Sequence, residues 1–359
     1  MMKIFLILTF LLNFGYLSKT NCKVMQSKII GVKIYSYNGN FKKLFNEWKR
    51  IDINTVFASV DLLSNNEFKK LAKLNNIKTF VILPIFYAPE ELKKDSTLFA
   101  ITKEGKKAKD EWVKFVCPSR NNFIENKIRF IENFVKENNP TGISLDFIRH
   151  FVFWEKVYPE TDINQLPNTC FDDSCLTGFT KSLKISFPKN ERTEMEKYKW
   201  IKKNYYSQWV GWKSDLITKV VKKIVKRVKK INPAIKVNLH AVPWRQKDFN
   251  GAIKKIVGQD FKELARYVDY ISPMTYSHMV KRKPEWIHSV VEDIKKESGS
   301  KIIPSIQVDV AYLNDTLSVD EFEHCITESL KEPSSGVIFW NWKSLAADKN
   351  KLELLERIK

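Results

Sequence analysis

Cysteine and histidine are scarce, with five of each among 359 residues. The histidines are scattered from His150 to His324. No Cys/His group at metal-binding spacing is present, so neither a zinc site nor any organic cofactor is expected. A Gly-rich turn for a nucleotide is also missing. The first apolar run passes instead into Tyr35-Ser-Tyr-Asn-Gly-Asn40, which argues against a dinucleotide-binding sheet. No short internal repeat is visible. Only one long apolar stretch precedes the folded part, Ile4–Leu12 behind Lys3, and its 9 residues fall short of the roughly 20 needed to span a bilayer. That length suits a signal peptide. Residues 1–21 are therefore expected to direct export and residues 22–359 to form the mature protein. Its expected location is secreted or in the cell envelope, without stable membrane insertion.

What is present is ordinary for a globular chain: 43% hydrophobic and 28% charged residues. The formal charge of +20 is unusual. Its lysines are spread along the whole chain, and the densest run, Lys219–Lys230, alternates with Val220, Val221, Ile224 and Val228 at helical spacing. That pattern is the wet face of an amphipathic helix, and no nucleic-acid partner is expected. In an exported chain, Cys170-Phe-Asp-Asp-Ser-Cys175 is placed to close a short disulfide loop.

Eight short β-rich runs recur, each followed by a longer amphipathic stretch. They are Ile29–Tyr37, Asn54–Val60, Lys78–Phe86, Gly142–Ile148, Lys236–Val242, Tyr267–Tyr276, Lys301–Val308 and Gly336–Trp342. Helices are predicted over Phe41–Lys49, Asn66–Leu74, Phe123–Glu137, Ser207–Ile231, Phe261–Tyr267, Trp286–Lys296, Val319–Leu330 and Asp348–Ile358. Eight such pairs predict an α/β fold, a single (β/α)8 TIM barrel. Two connections, Tyr87–Asn121 and His150–Tyr206, are long insertions after strands three and four. In a barrel both lie on the face that binds substrates.

Side chains alternate along a strand, so parity selects those that point inward. Strand four turns Ser144 and Asp146 inward and Ile143, Leu145 and Phe147 toward the helices. Strand one offers Lys33, Tyr35 and Tyr37. Strand five offers Asn238 and His240, strand six Tyr276 with His278 beyond it, and strand seven Ser305, Gln307 and Asp309. Barrel interiors are ordinarily aliphatic, and buried Asp and His are costly unless paired. Their convergence marks a site. Trp340, Trp342 and Trp244 sit near the same ends, where flat indoles suit the apolar face of a sugar ring.

Three segments carry a family resemblance. Gly142-Ile-Ser-Leu-Asp-Phe-Ile-Arg149 resembles the G-I-x-L-D-[YF]-I-R segment of glycoside-hydrolase-like (β/α)8 barrels. Val268-Asp-Tyr-Ile-Ser-Pro-Met-Thr-Tyr276 is similar to their V-D-x-I-S-P-M-x-Y strand. Glu111-Trp-Val-Lys-Phe-Val-Cys-Pro-Ser119 looks like their W-x-x-x-x-[CN]-P segment. The resemblance runs from about residue 28 to residue 345. It implies hydrolysis of glycosidic bonds with Asp146 as a catalytic carboxylate. The chain departs from retaining barrels that carry Glu after strands four and seven, showing Asp146 and Asp309 there. Glycosidic hydrolysis uses two carboxyl groups. Asp309 is the first choice of partner and Glu155 the second. Tyr35, Arg149, His240, Trp244, Tyr276, His278, Gln307, Trp340 and Trp342 are the expected carbohydrate-binding set. The alternative is a glycan-binding barrel that has lost one carboxylate.

Overall fold

The computed structural model describes residues 28–358. The expected export segment 1–21, and Cys22, lie outside the described residues. Nine parallel strands make one curled sheet. They are β1 (Ile29–Ile34), β2 (Thr55–Ala58), β3 (Lys78–Pro84), β6 (Gly142–Asp146), β7 (Lys236–Ala241), β8 (Tyr270–Pro273), β9 (Lys301–Ile302), β10 (Ser305–Gln307) and β11 (Gly336–Trp340). β4 (Lys109–Asp110) and β5 (Val113–Lys114) form a separate antiparallel pair. Around the sheet the order is β10-β11-β1-β2-β3-β6-β7-β8-β9. β9 and β10 are successive pieces of the stretch 301–307. β9 pairs with β8 and β10 with β11, so this one stretch joins the two ends of the ladder.

The helices follow their sequence signals. Asn40, Asn65 and Ser318 each accept a backbone N–H at the start of the helices Phe41–Arg50, Asn66–Leu74 and Val319–Leu330, satisfying donors that a helix leaves open at its N-terminus. In the helix Tyr206–Ile231, Val220, Val221, Ile224 and Val228 are buried, while Lys219, Lys222, Lys223 and Lys226 are exposed. Its Arg227 clamps Glu132 of the neighbouring helix Asn121–Asn138 through Nε at 2.7 Å and Nη2 at 2.5 Å. No helix among the described residues is long and apolar enough to cross a membrane.

The two faces of the sheet differ as parity requires. Ile143, Leu145, Val237, Leu239 and Ile271 share a large core with helix residues such as Leu44, Ile128, Val221 and Val290. Inside the curl, Ile29, Phe57, Phe80, Ile82, Ile303 and Ile338 form their own cluster. Phe57 and Phe80 stack with ring centres 5.0 Å apart. Glycine makes room for both rings. A Cβ on Gly142 would stand 2.3 Å from the Phe80 ring and 2.7 Å from the Lys236 carbonyl oxygen, and one on Gly31 would stand 3.0 Å from Phe57.

Two expectations are corrected. Cys170 and Cys175 are free thiols, not a disulfide. Cys175 lies in the first turn of the helix Asp173–Leu183. There its sulfur meets Cys117 Sγ at 3.2 Å, while Cys170 Sγ accepts the Ile101 N–H at 3.3 Å. Phe147 does not face the helices. β6 ends at Asp146, and Phe147 takes a left-handed backbone with φ 49°. Alternation stops there, and the ring turns toward the mouth, stacking on Tyr87 at 4.9 Å. The second insertion also holds two helices that the sequence pattern did not reveal, Asp173–Leu183 and Glu194–Asn204. They are gathered with the start of Tyr206–Ile231 around Phe171, Leu176, Phe179, Ile201 and Trp209.

Two glycine substitutions should move stability in opposite directions. Gly142→Ala forces a methyl into the Phe80 ring and the Lys236 carbonyl, and should cost about 1–3 kcal/mol. Gly211→Ala, in an exposed helical position with nothing within 4 Å of the new Cβ, should gain about 0.5–1 kcal/mol. Urea denaturation of both variants measures the two changes.

Candidate functional site

The C-terminal ends of the strands open into a cavity of about 610 Å³. Its wall takes Lys33 from β1 and Tyr35 just past it, Ile82 and Pro84 from β3, Asp146 from β6 and Phe147 just past it, and Met274 and Tyr276 from just beyond β8. Trp340 ends β11 and Asn341 follows it. Ser59, Val60 and Asp61 follow β2. The two insertions add Tyr87 and Trp112 from one, and Glu155 from the other, and Tyr312 closes the ring.

Asp146 is 7% exposed and Glu155 8%. Both carboxyls are raised, for the same first reason: burial penalises the charged form. For Asp146 that penalty is opposed by the charge of Lys33, the Phe147 N–H at 2.8 Å, and Arg149. Glu155 is opposed mainly by Arg149, while the negative charge of Asp146 pushes it further up, to about 7. One Glu155 oxygen, Oε2, is buried without a hydrogen-bond partner. Burial thus holds both acids toward their protonated forms, Glu155 to about 7.

Lys33 is buried to 1% exposure and donates to the Tyr276 hydroxyl at 3.2 Å. Burial lowers its ammonium to about 8, with Asp146 holding it up. The Tyr276 ring stacks on Trp340 with centres 4.5 Å apart and planes 16° from parallel. The Tyr35 phenol is pushed up by burial of its hydroxyl and by the charge of Asp146, although the residue as a whole is 45% exposed. Across the cavity, Trp112 donates from Nε1 to the Tyr312 hydroxyl at 2.8 Å and meets Tyr87 and Phe147 edge-on.

Of the residues singled out in the sequence, Tyr35, Asp146, Glu155, Tyr276 and Trp340 come together on this cavity. The others do not line it. Asp309 is exposed, and its carboxylate accepts the Val310 N–H at 2.8 Å. Gln307 accepts the Met279 N–H at 2.8 Å and donates to the Asp309 carbonyl. His278 sits between Glu321 and Asp315, at 3.0 and 2.8 Å. Trp342 packs edge-on against Trp48, and Trp244 against Phe249. His240 is buried below the cavity and bonds Ser144 Oγ at 2.9 Å through Nε2. Ser144 in turn takes a bond from Asn238, which accepts one from Ser272. Burial, with the charge of Lys33, keeps the imidazole neutral. Arg149 lies beneath the wall. It grips the carbonyls of His150 and Val152 at 3.2 and 2.8 Å and stacks over Phe115.

Lys33 was visible by parity but not weighed as a site residue. Trp112, Tyr87 and Tyr312 carried no usable signal, because their positions depend on how the insertions fold back. Trp112 does fall inside the W-x-x-x-x-[CN]-P segment.

No protein-family model matches the sequence, and no curated protein matches it. Solved structures do match, among them several glycoside hydrolases. The glycoside hydrolase domain of PgaB (BpsB) from Bordetella bronchiseptica aligns with a TM-score of 0.69 at 11% identity, over 92% of this chain and 98% of that one. The β-galactosidase of Marinomonas ef1 aligns with a TM-score of 0.63 at 11% identity, over 87% of this chain and 54% of that one. Gan42B, a GH42 β-galactosidase of G. stearothermophilus, aligns with a TM-score of 0.62 at 9% identity, over 93% and 56%. The chain thus spans about half the length of these β-galactosidases. The fold is thus like the barrels of these hydrolases, the fold that the resemblance in sequence implied.

Glu155 makes stability depend on pH in a defined direction. Its carboxyl is held at about 7 in the native protein against an ordinary 4.5. The native state keeps a proton that the unfolded chain has released, so this contribution is complete below 4.5 and is lost as pH rises through about 7. Glu155→Gln lacks the titration. Denaturation midpoints of the two proteins should therefore diverge in favour of Gln between those pH values and run parallel above and below.

Proposed function

We propose that the chain is an exported (β/α)8 glycoside hydrolase, with long insertions after its third and fourth strands. Asp146 and Glu155 are its carboxyl pair, and the substrate is an oligo- or polysaccharide. One observation carries the reading: two buried carboxyls, one of them raised to about 7, face one aromatic-walled cavity at the strands' C-terminal ends. Glycosidic cleavage needs such a division of labour, one group delivering a proton to the leaving oxygen and the other acting as a carboxylate.

Glu155, holding its proton to about pH 7, is the general acid. Asp146, its charge steadied by Lys33 and the Phe147 N–H, is the carboxylate that faces the cation-like carbon or the attacking water. Lys33 and the Tyr276 hydroxyl, 3.2 Å apart, hold sugar hydroxyls beside it. Trp340 and Trp112 supply flat apolar surface for the sugar's C–H faces. Arg149 positions Glu155 and limits the rise of its pKa.

Activity on a panel of glycans, measured together with melting temperature, tests the reading. Asp146→Asn should melt near the wild type, Glu155→Gln should melt at or above it by the pH-dependent margin given above, and each should lose about 10²–10⁴ in turnover. Turnover of the wild type should fall as pH rises above about 7, where Glu155 loses its proton. Arg149→Met should carry that limb to higher pH. Unchanged turnover in Asp146→Asn overturns the assignment. Glycan binding by a wild type that turns over no glycan replaces hydrolysis with the glycan-binding reading.

A further inference from the structure

Away from the cavity, the two insertions meet at a second group of side chains. Cys117 comes from the first insertion. Cys170, Asp172 and Cys175 come from the second, with Asp172 as the N-cap of the helix Asp173–Leu183. All four are buried, the three thiols completely. Their three sulfurs and one carboxylate oxygen lie within 4.8 Å of one another. We propose that Cys117, Cys170, Cys175 and Asp172 form a structural zinc site that clasps the first insertion to the second.

The donor set has the chemistry of such a site. Zn²⁺ takes four ligands tetrahedrally, preferring thiolates, with sulfurs about 2.3 Å from the metal and so about 3.8 Å from each other. The Cys117–Cys175 separation of 3.2 Å is near that spacing and far from the roughly 2.05 Å of a disulfide. A disulfide would also leave the third buried thiol without a task.

The surrounding charges give an independent indication. Lys213 is fully buried, and its ammonium bonds only neutral acceptors: Asn168 Oδ1 at 2.7 Å and the carbonyls of Lys255 and Ile256 at 3.2 and 3.3 Å. Arg120 approaches Asp172 Oδ2 at 2.9 Å, without the alignment of a hydrogen bond, so that oxygen remains buried with no donor. A buried cation such as Lys213 needs compensating negative charge. Zn²⁺ with three thiolates and one carboxylate carries a net charge of −2, set beside the buried Lys213 and the part-exposed Arg120. On binding, three thiol protons leave to water as the metal takes their place.

Sequence spacing could not reveal this group, because 58 residues separate Cys117 from Cys175. The consequence for the cavity is direct. Trp112 lies shortly before Cys117, and Glu155 belongs to the same insertion as Cys170, so the clasp fixes two cavity walls against each other.

The test needs no glycan, so its failure is distinct from a failure of the proposed hydrolysis. The full chain, purified without chelator, is analysed for metal by mass spectrometry. About one zinc per chain is expected. Replacement by Co²⁺ should give the thiolate-to-cobalt charge-transfer band and the intense visible bands of a tetrahedral site. Cys117→Ser, Cys170→Ser and Cys175→Ser should each lose the metal, while Cys325→Ser, a buried thiol outside the group, should keep it. If a ligand variant fails to fold, metal content and the cobalt spectrum of the wild type still decide. Reduced wild-type protein that takes up neither Zn²⁺ nor Co²⁺ overturns the proposal. So does a Cys117–Cys175 disulfide with Cys170 free in the non-reducing peptide map of the native chain.

Discussion

Four charged side chains are held out of water at the mouth of the barrel, and each is tolerable there because of the others. Lys33 and Arg149 favour the ionised form of Asp146, Arg149 does the same for Glu155, and the charge of Asp146 works against that of Glu155. Isolated in a low dielectric, any one of them would cost several kcal/mol or give up its charge. Together they settle into a graded set: an ammonium lowered to about 8, a guanidinium lowered to about 10 and a carboxyl raised to about 7. The aromatic walls keep these values apart from those in water. Removing the walls would let solvent in and flatten the differences on which acid–base chemistry depends.

Scaffold and chemistry are supplied by different parts of the chain. The parallel sheet delivers Lys33 and Asp146 on inward positions of β1 and β6 and would do so with short loops. Glu155, Trp112 and Tyr87 come from the insertions, whose placement rests on contacts of their own. Arg149 ties the start of the second insertion to its own carbonyls. Lys156 pairs with Glu111 across the gap between the insertions. Trp112 is bonded to Tyr312 on the far side. Variation in these segments would alter which ligand fits without disturbing the ladder beneath.

Strand and helix positions were legible because their signals are local. Alternation, capping Asn and Ser, and the Asn232-Pro233 stop all act within a few residues. The same rule placed Asp146, Ser144 and Lys33 on the inner face. It failed where strands end. Phe147 leaves the alternation through a positive φ, and β10 stops at Gln307, leaving Asp309 in solvent. Glu155 could be named but not ranked, since nothing local tells a loop carboxylate that it will be buried. The tryptophans divided for a related reason. Trp340 ends an inward-facing strand, whereas Trp342 begins a helix and turns to the core. The thiols were misread because a short sequence interval suggested a pair, while the fold set a third cysteine beside them in space.

The stacked phenylalanines inside the curl have a bearing on traffic. Phe57, Phe80, Ile82, Ile303 and Ile338 fill the interior from strand to strand, and Ile82 belongs both to that filling and to the floor of the cavity. The barrel is stoppered at one end. Whatever enters the cavity leaves by the same doorway, and water or protons bound for Asp146 must pass the same aromatic threshold. Residence time then becomes a property of the rim, set by Trp112 and Tyr312, rather than of the carboxyls below it.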